Sequence, residues 1–243
     1  MSLTITGLTK KFTERDVIAN LQLEIPTGSF VSLVGPSGCG KSTLLRLMAG
    51  LEKPSSGTLN FAENENQHIG FVFQEPELLP WKTVLENVLL PLELQKTPLA
   101  LSEKQKLAQA VLHKVKLAGT DSLYPHQLSG GMKMRVSVAR ALISNPRWLF
   151  MDEPFAALDE PTRFEMQDLL KQLWIQEKLS IVFVTHSLSE AAYLSQRIIM
   201  FEAVGGKIRK DETLSLPSSK NEDLRTSQEL NALVKDLSQR MRA

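Results

Sequence analysis

The chain has 243 residues, 42% of them hydrophobic and 23% charged, with a net charge of +1 and a single cysteine. That length buries a substantial core; the near-zero charge gives no field drawing nucleic acid or an anionic membrane, and one cysteine excludes an internal disulfide. No apolar run reaches the roughly 18 residues of a membrane span, and the first residues lack the basic-then-apolar pattern of a secretion signal, so a globular protein of the cytosol is expected.

In chain order, residues 3–8, 21–25 and 30–34 read as strands, the second by its alternating Leu, Leu and Ile. The third runs into glycines and then a helical pattern over 42–51. From about residue 75 to 145 the pattern is helical. Thr83-Val-Leu-Glu86 and Ser102-Glu-Lys-Gln105 are capping-box sequences, Leu107, Val111 and Val115 share one face, and Gly119 is a stop signal. Ser129 caps a further helix with Val136, Ala139 and Ile143 inward, ended by Pro146.

Alternation then returns. Residues 148–151 form a nearly all-apolar run suited to a parallel strand buried on both faces. A helix over 160–177, a strand over 181–185, a capping box at Ser187-Leu-Ser-Glu190 and a strand over 197–201 follow. Strands alternating with helices, interrupted by a helical block, predict an α/β sheet carrying an inserted helical subdomain. The expected division is one domain over 1–210, with the insertion at about 75–146, and a polar tail over 211–243. In that tail Leu230, Leu233, Val234, Leu237 and Met241 recur at helical spacing, for a helix packed on its own protein or on a partner.

Four groups of residues carry chemistry. Gly35-Pro36-Ser37-Gly38-Cys39-Gly40-Lys41-Ser42 fits G-x-x-x-x-G-K-[ST] in the required strand–loop–helix context. Backbone N–H groups there converge on phosphate oxygens, which side chains at the glycine positions would obstruct, and the following helix adds its dipole. Lys41 supplies charge to the outer phosphates and Ser42 a hydroxyl for Mg²⁺; Cys39, at a variable position, reads as a small filler. Asp152 and Glu153 end a buried strand, where open parallel sheets bind ligands. Asp152 suits Mg²⁺ through a bound water, and Glu153 suits activation of an attacking water. His186 ends the next strand and is either structural or a partner of the γ-phosphate or the attacking water. Leu128-Ser129-Gly130-Gly131-Met132 is a helix cap that also exposes backbone N–H groups, a second anion site. One chain has no use for two γ-phosphate sites unless the second serves another copy's nucleotide.

Together these motifs resemble the ATP-binding cassette (ABC) ATPases over roughly residues 1–205. The match includes the phosphate loop, Gln74 in Val-Phe-Gln-Glu, Leu-Ser-Gly-Gly-Met, Asp152-Glu153, Ala157-Leu158-Asp159 and His186, in the family's order. The resemblance implies a P-loop NTPase (RecA-like) core sheet with N-terminal antiparallel strands and an inserted α-helical subdomain. It implies hydrolysis of MgATP by a head-to-tail homodimer. The nucleotide would touch residues 35–42 and Thr43 of one copy and Ser129-Gly130-Gly131 of the other. Gln74 would look toward Mg²⁺, Asp159 would cross the dimer interface, and Phe12 would stack on adenine with a π face like that of the family's tyrosine. Met132 departs from the family's glutamine, and Ala156-Ala157 from its frequent serine-alanine.

With one cassette and no membrane span, the chain looks like the separate ATPase subunit of an importer, on the cytoplasmic face of the inner membrane. A permease and a solute-binding protein would be its partners. Gln74-Glu-Pro-Glu-Leu-Leu-Pro-Trp81 is similar to the nitrate/sulfonate/taurine branch and would help form the groove for the permease. Trp81 reads equally as an aromatic anchoring a helix start. The contrasting reading is a mechanical clamp on DNA or ribosomes, against which stand the lack of a second cassette, of long coiled coils and of a basic surface; an exporter is a third.

Overall fold

Two stretches of the chain, Met1–Glu65 and Ser180–Ala243, come together as one unit, and the intervening Asn66–Leu179 forms another. The computed structural model describes residues 2–13, 15–62, 69–214 and 222–242.

The first unit holds two sheets. In one, β1 (Ser2–Phe12) lies between β2 (Arg15–Pro26) and β4 (Ser56–Phe61), all antiparallel. Leu3, Ile5 and Leu8 of β1 are fully buried. The register slips beyond Ile5 and again beyond Leu8, so these three side chains keep to the core despite the odd spacing. Gly57 is required here: a Cβ on it would lie 2.3 Å from the Gly7 carbonyl oxygen.

In the other sheet the order is β7 (Ser180–Val184), β3 (Phe30–Val34), β8 (Arg197–Phe201) and β9 (Ile208–Thr213). β3 runs parallel to β7 and β8, and β9 antiparallel to β8. Every residue of β3 and β7 is buried, as expected of parallel strands covered on both faces. The sheet extends past Lys210, where the sequence turns polar. β9 pairs through Thr213, and Arg197 of β8 holds Asp211 with two hydrogen bonds of 2.6 and 2.5 Å. An edge strand tolerates such charges because its outer face is wet.

Among the described residues three α-helices, α1 (Lys41–Met48), α6 (Leu188–Leu194) and α7 (Gln228–Arg242), and a 3-10 turn at Glu222–Thr226 complete this unit. α7 packs on α6 with Leu230 and Leu237 buried, and the Arg225 guanidinium lies 4.1 Å from the centre of the Tyr193 ring of α6. The apolar face of the tail is therefore turned to its own unit. Residues 215–221 of the tail lie outside the described residues.

In the second unit β5 (Ile69–Val72) pairs parallel with β6 (Trp148–Asp152). Between them in sequence run α2 (Val84–Leu94), α3 (Leu101–Lys114), a 3-10 turn at Pro125–Gln127 and α4 (Gly130–Leu142); α5 (Glu160–Glu177) follows β6. Thr83 caps α2 reciprocally with Glu86, through bonds of 3.3 and 2.7 Å.

α3 departs from its sequence signals at both ends. It starts earlier than the Ser102 box, because the Glu103 carboxylate takes the Ala100 N–H at 3.0 Å. Its buried stripe is Ala108, Val111, Leu112 and Val115, whereas Leu107 is 43% exposed. It ends at Lys114, short of Gly119, and Lys116 just beyond the cap takes the left-handed conformation at φ 59. The Leu117 and Lys116 N–H groups then bond back to Leu112 and His113, satisfying the last carbonyls. Among the described residues no helix is long and apolar enough to cross a membrane.

Candidate nucleotide site

β3 ends at Val34, and the glycines turn the chain into α1 through backbone conformations that L side chains resist: φ 75 at Gly38 and φ 107 at Gly40. A Cβ on Gly40 would also meet the Val17 carbonyl oxygen at 2.9 Å. Gly40 is the N-cap of α1 and brings no side chain to its first turn. No cap side chain therefore stands between the positive end of the helix dipole and an approaching anion. Lys41 folds back across the loop: its Nζ donates to the Gly35 and Pro36 carbonyls at 2.8 and 2.9 Å and leaves the side chain buried. Cys39 is buried with its Sγ 3.6 Å from the same Nζ, in keeping with a small filler. Ser42 and Thr43 are half-buried on the first turn, and Pro36 and Ser37 are exposed.

β7 lies beside β3 in parallel, and the Thr185 N–H extends the ladder to the Leu33 carbonyl at 3.2 Å. That register delivers the next residue, His186, to the phosphate loop, with Nδ1 3.3 Å from the Gly35 oxygen. Lys41 and His186 thus converge on one carbonyl at the C-terminal ends of two parallel strands, the edge where α/β sheets bind ligands. Phe12, at the end of β1, is 43% exposed, with the Lys10 ammonium 4.7 Å from its ring centre on one side.

The other candidate residues belong to the second unit. Asp152 is buried at the end of β6, and Glu153 follows in the left-handed region at φ 47, a strained conformation for glutamate that turns the chain sharply out of the strand. Ser129 caps α4, its Oγ accepting the Met132 N–H at 3.2 Å. Ser129 and Gly130 are exposed, whereas Gly131 is buried, and a Cβ on it would lie 2.4 Å from Thr162 Cγ2. Thr162 also hydrogen-bonds the exposed Asp159, and its hydroxyl is the main reason that the Asp159 carboxyl sits below the usual aspartate range. One threonine therefore connects the start of α4 with the start of α5.

Gln74 is exposed in the segment between β5 and α2. Two side chains that the sequence reading did not single out hold this segment. Arg140 of α4 donates to the Pro76 and Glu77 carbonyls at 2.8 and 2.7 Å. Asn87, fully buried in α2, accepts the Leu79 N–H at 2.8 Å and donates to the carbonyls of Leu79, Lys82 and Thr83 at 2.9–3.1 Å. The available signal for Asn87 was one amide among the buried apolar positions of a helix. Trp81 is 71% exposed, so it does not anchor the start of α2; Asn87 performs that task.

Residues 18–156 match the family model for the ABC transporter. An aliphatic sulfonates import ATP-binding protein, SsuB, of Rhodopseudomonas palustris is 44% identical, over 96% of this chain and 80% of its own. The protein of the same name from Bacillus cereus is 39% identical, over 96% and 94%. Among solved structures, the ATP-binding cassette MJ0796, in a dimeric post-hydrolysis state bound to ADP and Pi, superposes with a TM-score of 0.77 at 35% identity, over 87% of this chain and 98% of that one. The phosphate loop thus stands in a chain that resembles whole cassettes nearly end to end, and the chain belongs to the ABC transporter family, as one of its ATP-hydrolysing cassettes.

Proposed function

We propose that this chain is the ATPase subunit of an importer for aliphatic sulfonates or similar small anions, and that it works as a head-to-tail dimer on the cytoplasmic face of the membrane beside a separate permease. The observation that carries the enzymatic part is the convergence of Lys41 and His186 on the Gly35 carbonyl beside an N-cap without a side chain. The solute class rests on the names of the sulfonate-import relatives, which align with nearly the whole chain.

In this reading the Lys41 ammonium exchanges its two carbonyl partners for outer-phosphate oxygens, a trade of neutral for charge-assisted bonds. The first-turn N–H groups of α1 take the inner phosphates, and Phe12 offers its ring to adenine. The Ser42 hydroxyl and the Gln74 amide oxygen are the oxygen donors that Mg²⁺ accepts, and the Asp152 carboxylate would reach the ion through a bound water. Bound there, the ion would offset the phosphate charge. Glu153 accepts the proton of the attacking water and His186 orients the γ-phosphate. Ser129, Gly130 and Gly131 close over the nucleotide of a second copy, and Asp159 faces that copy. The segment from Gln74 to Trp81 receives the permease, and solute recognition resides in the permease and a solute-binding protein.

Deleting the gene should abolish growth on ethanesulfonate as sole sulfur source while leaving growth on sulfate unchanged. The wild-type gene should restore it and the Glu153→Gln gene should not. Undiminished ethanesulfonate uptake in the deletion strain would refute the solute class, and rescue by Glu153→Gln would refute the enzymatic role.

A further inference from the structure

The Ser187-Leu-Ser-Glu190 sequence predicts a reciprocal cap for α6, yet only half of it forms. Ser187 Oγ accepts the Glu190 N–H at 3.2 Å. The Glu190 carboxylate does not return to the Ser187 N–H; it turns inward, is buried, and takes the Thr185 hydroxyl at 2.5 Å. The Ser187 N–H goes instead to Thr185 Oγ1 at 3.0 Å. The three bonds close a ring through residues 185, 187 and 190, which encloses His186 from both sides along the chain. Thr185 is buried as well, and its N–H is tied to Leu33 of β3, the strand that opens the phosphate loop. His186 itself is exposed and reaches the Gly35 carbonyl oxygen through Nδ1 at 3.3 Å.

Burying a carboxylate is costly unless hydrogen bonds compensate its desolvation, and the Thr185 hydroxyl supplies such a bond to Glu190. We infer that Thr185 and Glu190 are positioning residues for His186: their hydrogen-bonded ring fixes the backbone on either side of the histidine and so aims its imidazole at the phosphate loop. The inference rests on the reading of His186 as a group that acts on the nucleotide. Thr185 is the lynchpin, since its single oxygen donates to Glu190 and accepts from Ser187. Neither residue touches the nucleotide in this scheme, so their loss should lower the rate of the chemical step and leave ATP binding in place.

The test compares MgATP hydrolysis by the full-length chain with that of its variants. Thr185→Val keeps the shape and removes the hydroxyl; kcat should fall about tenfold with KM changed less than about twofold, the size of one charge-assisted hydrogen bond. Thr185→Ser restores the hydroxyl and should recover kcat to within about threefold of wild type. Combined with His186→Ala, Thr185→Val should add less than about a twofold loss, because it acts through the histidine. Should Thr185→Val fail to fold, Glu190→Gln preserves shape and a weaker acceptor, and should lower kcat about threefold with the same dependence on His186. Wild-type kcat in Thr185→Val, in an otherwise histidine-dependent enzyme, overturns the proposal, as does an equal loss with and without His186. Wild-type kcat in His186→Ala overturns the prior reading of the histidine and is distinguished by that single variant.

Discussion

Replacing Gly131 by alanine separates two reasons for a glycine in the Leu-Ser-Gly-Gly segment. The added Cβ would stand 2.4 Å from Thr162 Cγ2, where carbon atoms in contact prefer about 3.5–4.0 Å. The starts of α4 and α5 must then part by about 1 Å, or Thr162 must leave its rotamer and its bond to Asp159. Overpacking of this kind costs about 1–3 kcal/mol, and alanine recovers about 0.5–1 kcal/mol over glycine within a helix. At the middle of both ranges the net loss for Gly131→Ala is about 1 kcal/mol, read from urea denaturation at unchanged m-value. Thr162→Ser deletes the offending methyl and keeps the hydroxyl, so Gly131→Ala with Thr162→Ser should be at least as stable as Thr162→Ser alone. Turnover measured in that repaired pair isolates the second reason. If a close approach of phosphate also requires glycine, the pair folds normally and remains slow. A Gly131→Ala chain as stable as wild type, or a pair that the serine does not rescue, would refute the packing argument.

Glu153→Gln keeps the shape of the proposed base and removes its basicity. ATP should still bind, turnover should fall about 10²–10⁴-fold, and gel filtration with ATP should show a dimer; wild-type turnover would remove Glu153 from the mechanism. Ser129→Asp retains an equally good N-cap for α4 and places a negative charge on the exposed cap. Thermal stability should hold while turnover falls about 100-fold or more, the scale for losing one donor to transition-state charge; unchanged turnover would contradict a composite site. Asp159, held below the usual aspartate range chiefly by the Thr162 hydroxyl, stabilises its charged form in the folded chain. Its contribution is complete above the ordinary aspartate value and disappears as pH falls through the lowered one. The stability difference between wild type and Asp159→Asn should accordingly be present at neutral pH and vanish in strong acid, which pH-dependent denaturation measures.

The elements that the sequence defines well are those in which local and tertiary preferences coincide. β3 and β8 are short, mainly apolar runs, interrupted only by Ser32 and opened by Arg197, that the sheet buries almost throughout, and α5 begins after an acidic cap and ends at Lys178 in the left-handed region. Three strands were not foreseen, β4, β5 and β9, each because its neighbours define it. β9 reads Ile-Arg-Lys-Asp-Glu-Thr and is a strand through its pairing with β8 and the Arg197–Asp211 bridge. Two capping signals misled for a related reason. At α3 the carboxylate of Glu103 serves an earlier residue than the serine predicts, and at α6 that of Glu190 serves Thr185 instead of the helix. The candidate site was legible as a set of motifs, since phosphate chemistry dictates residue types and order. Its supports were not: Thr162 of α5 meets Gly131 of α4, and Arg140 of α4 meets Pro76 in the loop before α2, only through packing between segments far apart in sequence.

The clamp of Asn87 and Arg140 on residues 76–83 has a thermodynamic consequence for whatever engages Trp81. A surface loop that orders only upon association forfeits about 1–2 kcal/mol of backbone entropy for each residue it fixes. The carbonyls of Pro76, Glu77, Leu79, Lys82 and Thr83 and the Leu79 N–H are held by Asn87 and Arg140 beforehand, so much of that loss is taken during folding and not at the encounter. A partner would meet a finished surface with a large indole already presented. Association would then be governed by diffusion and surface fit, with no slow ordering step after contact.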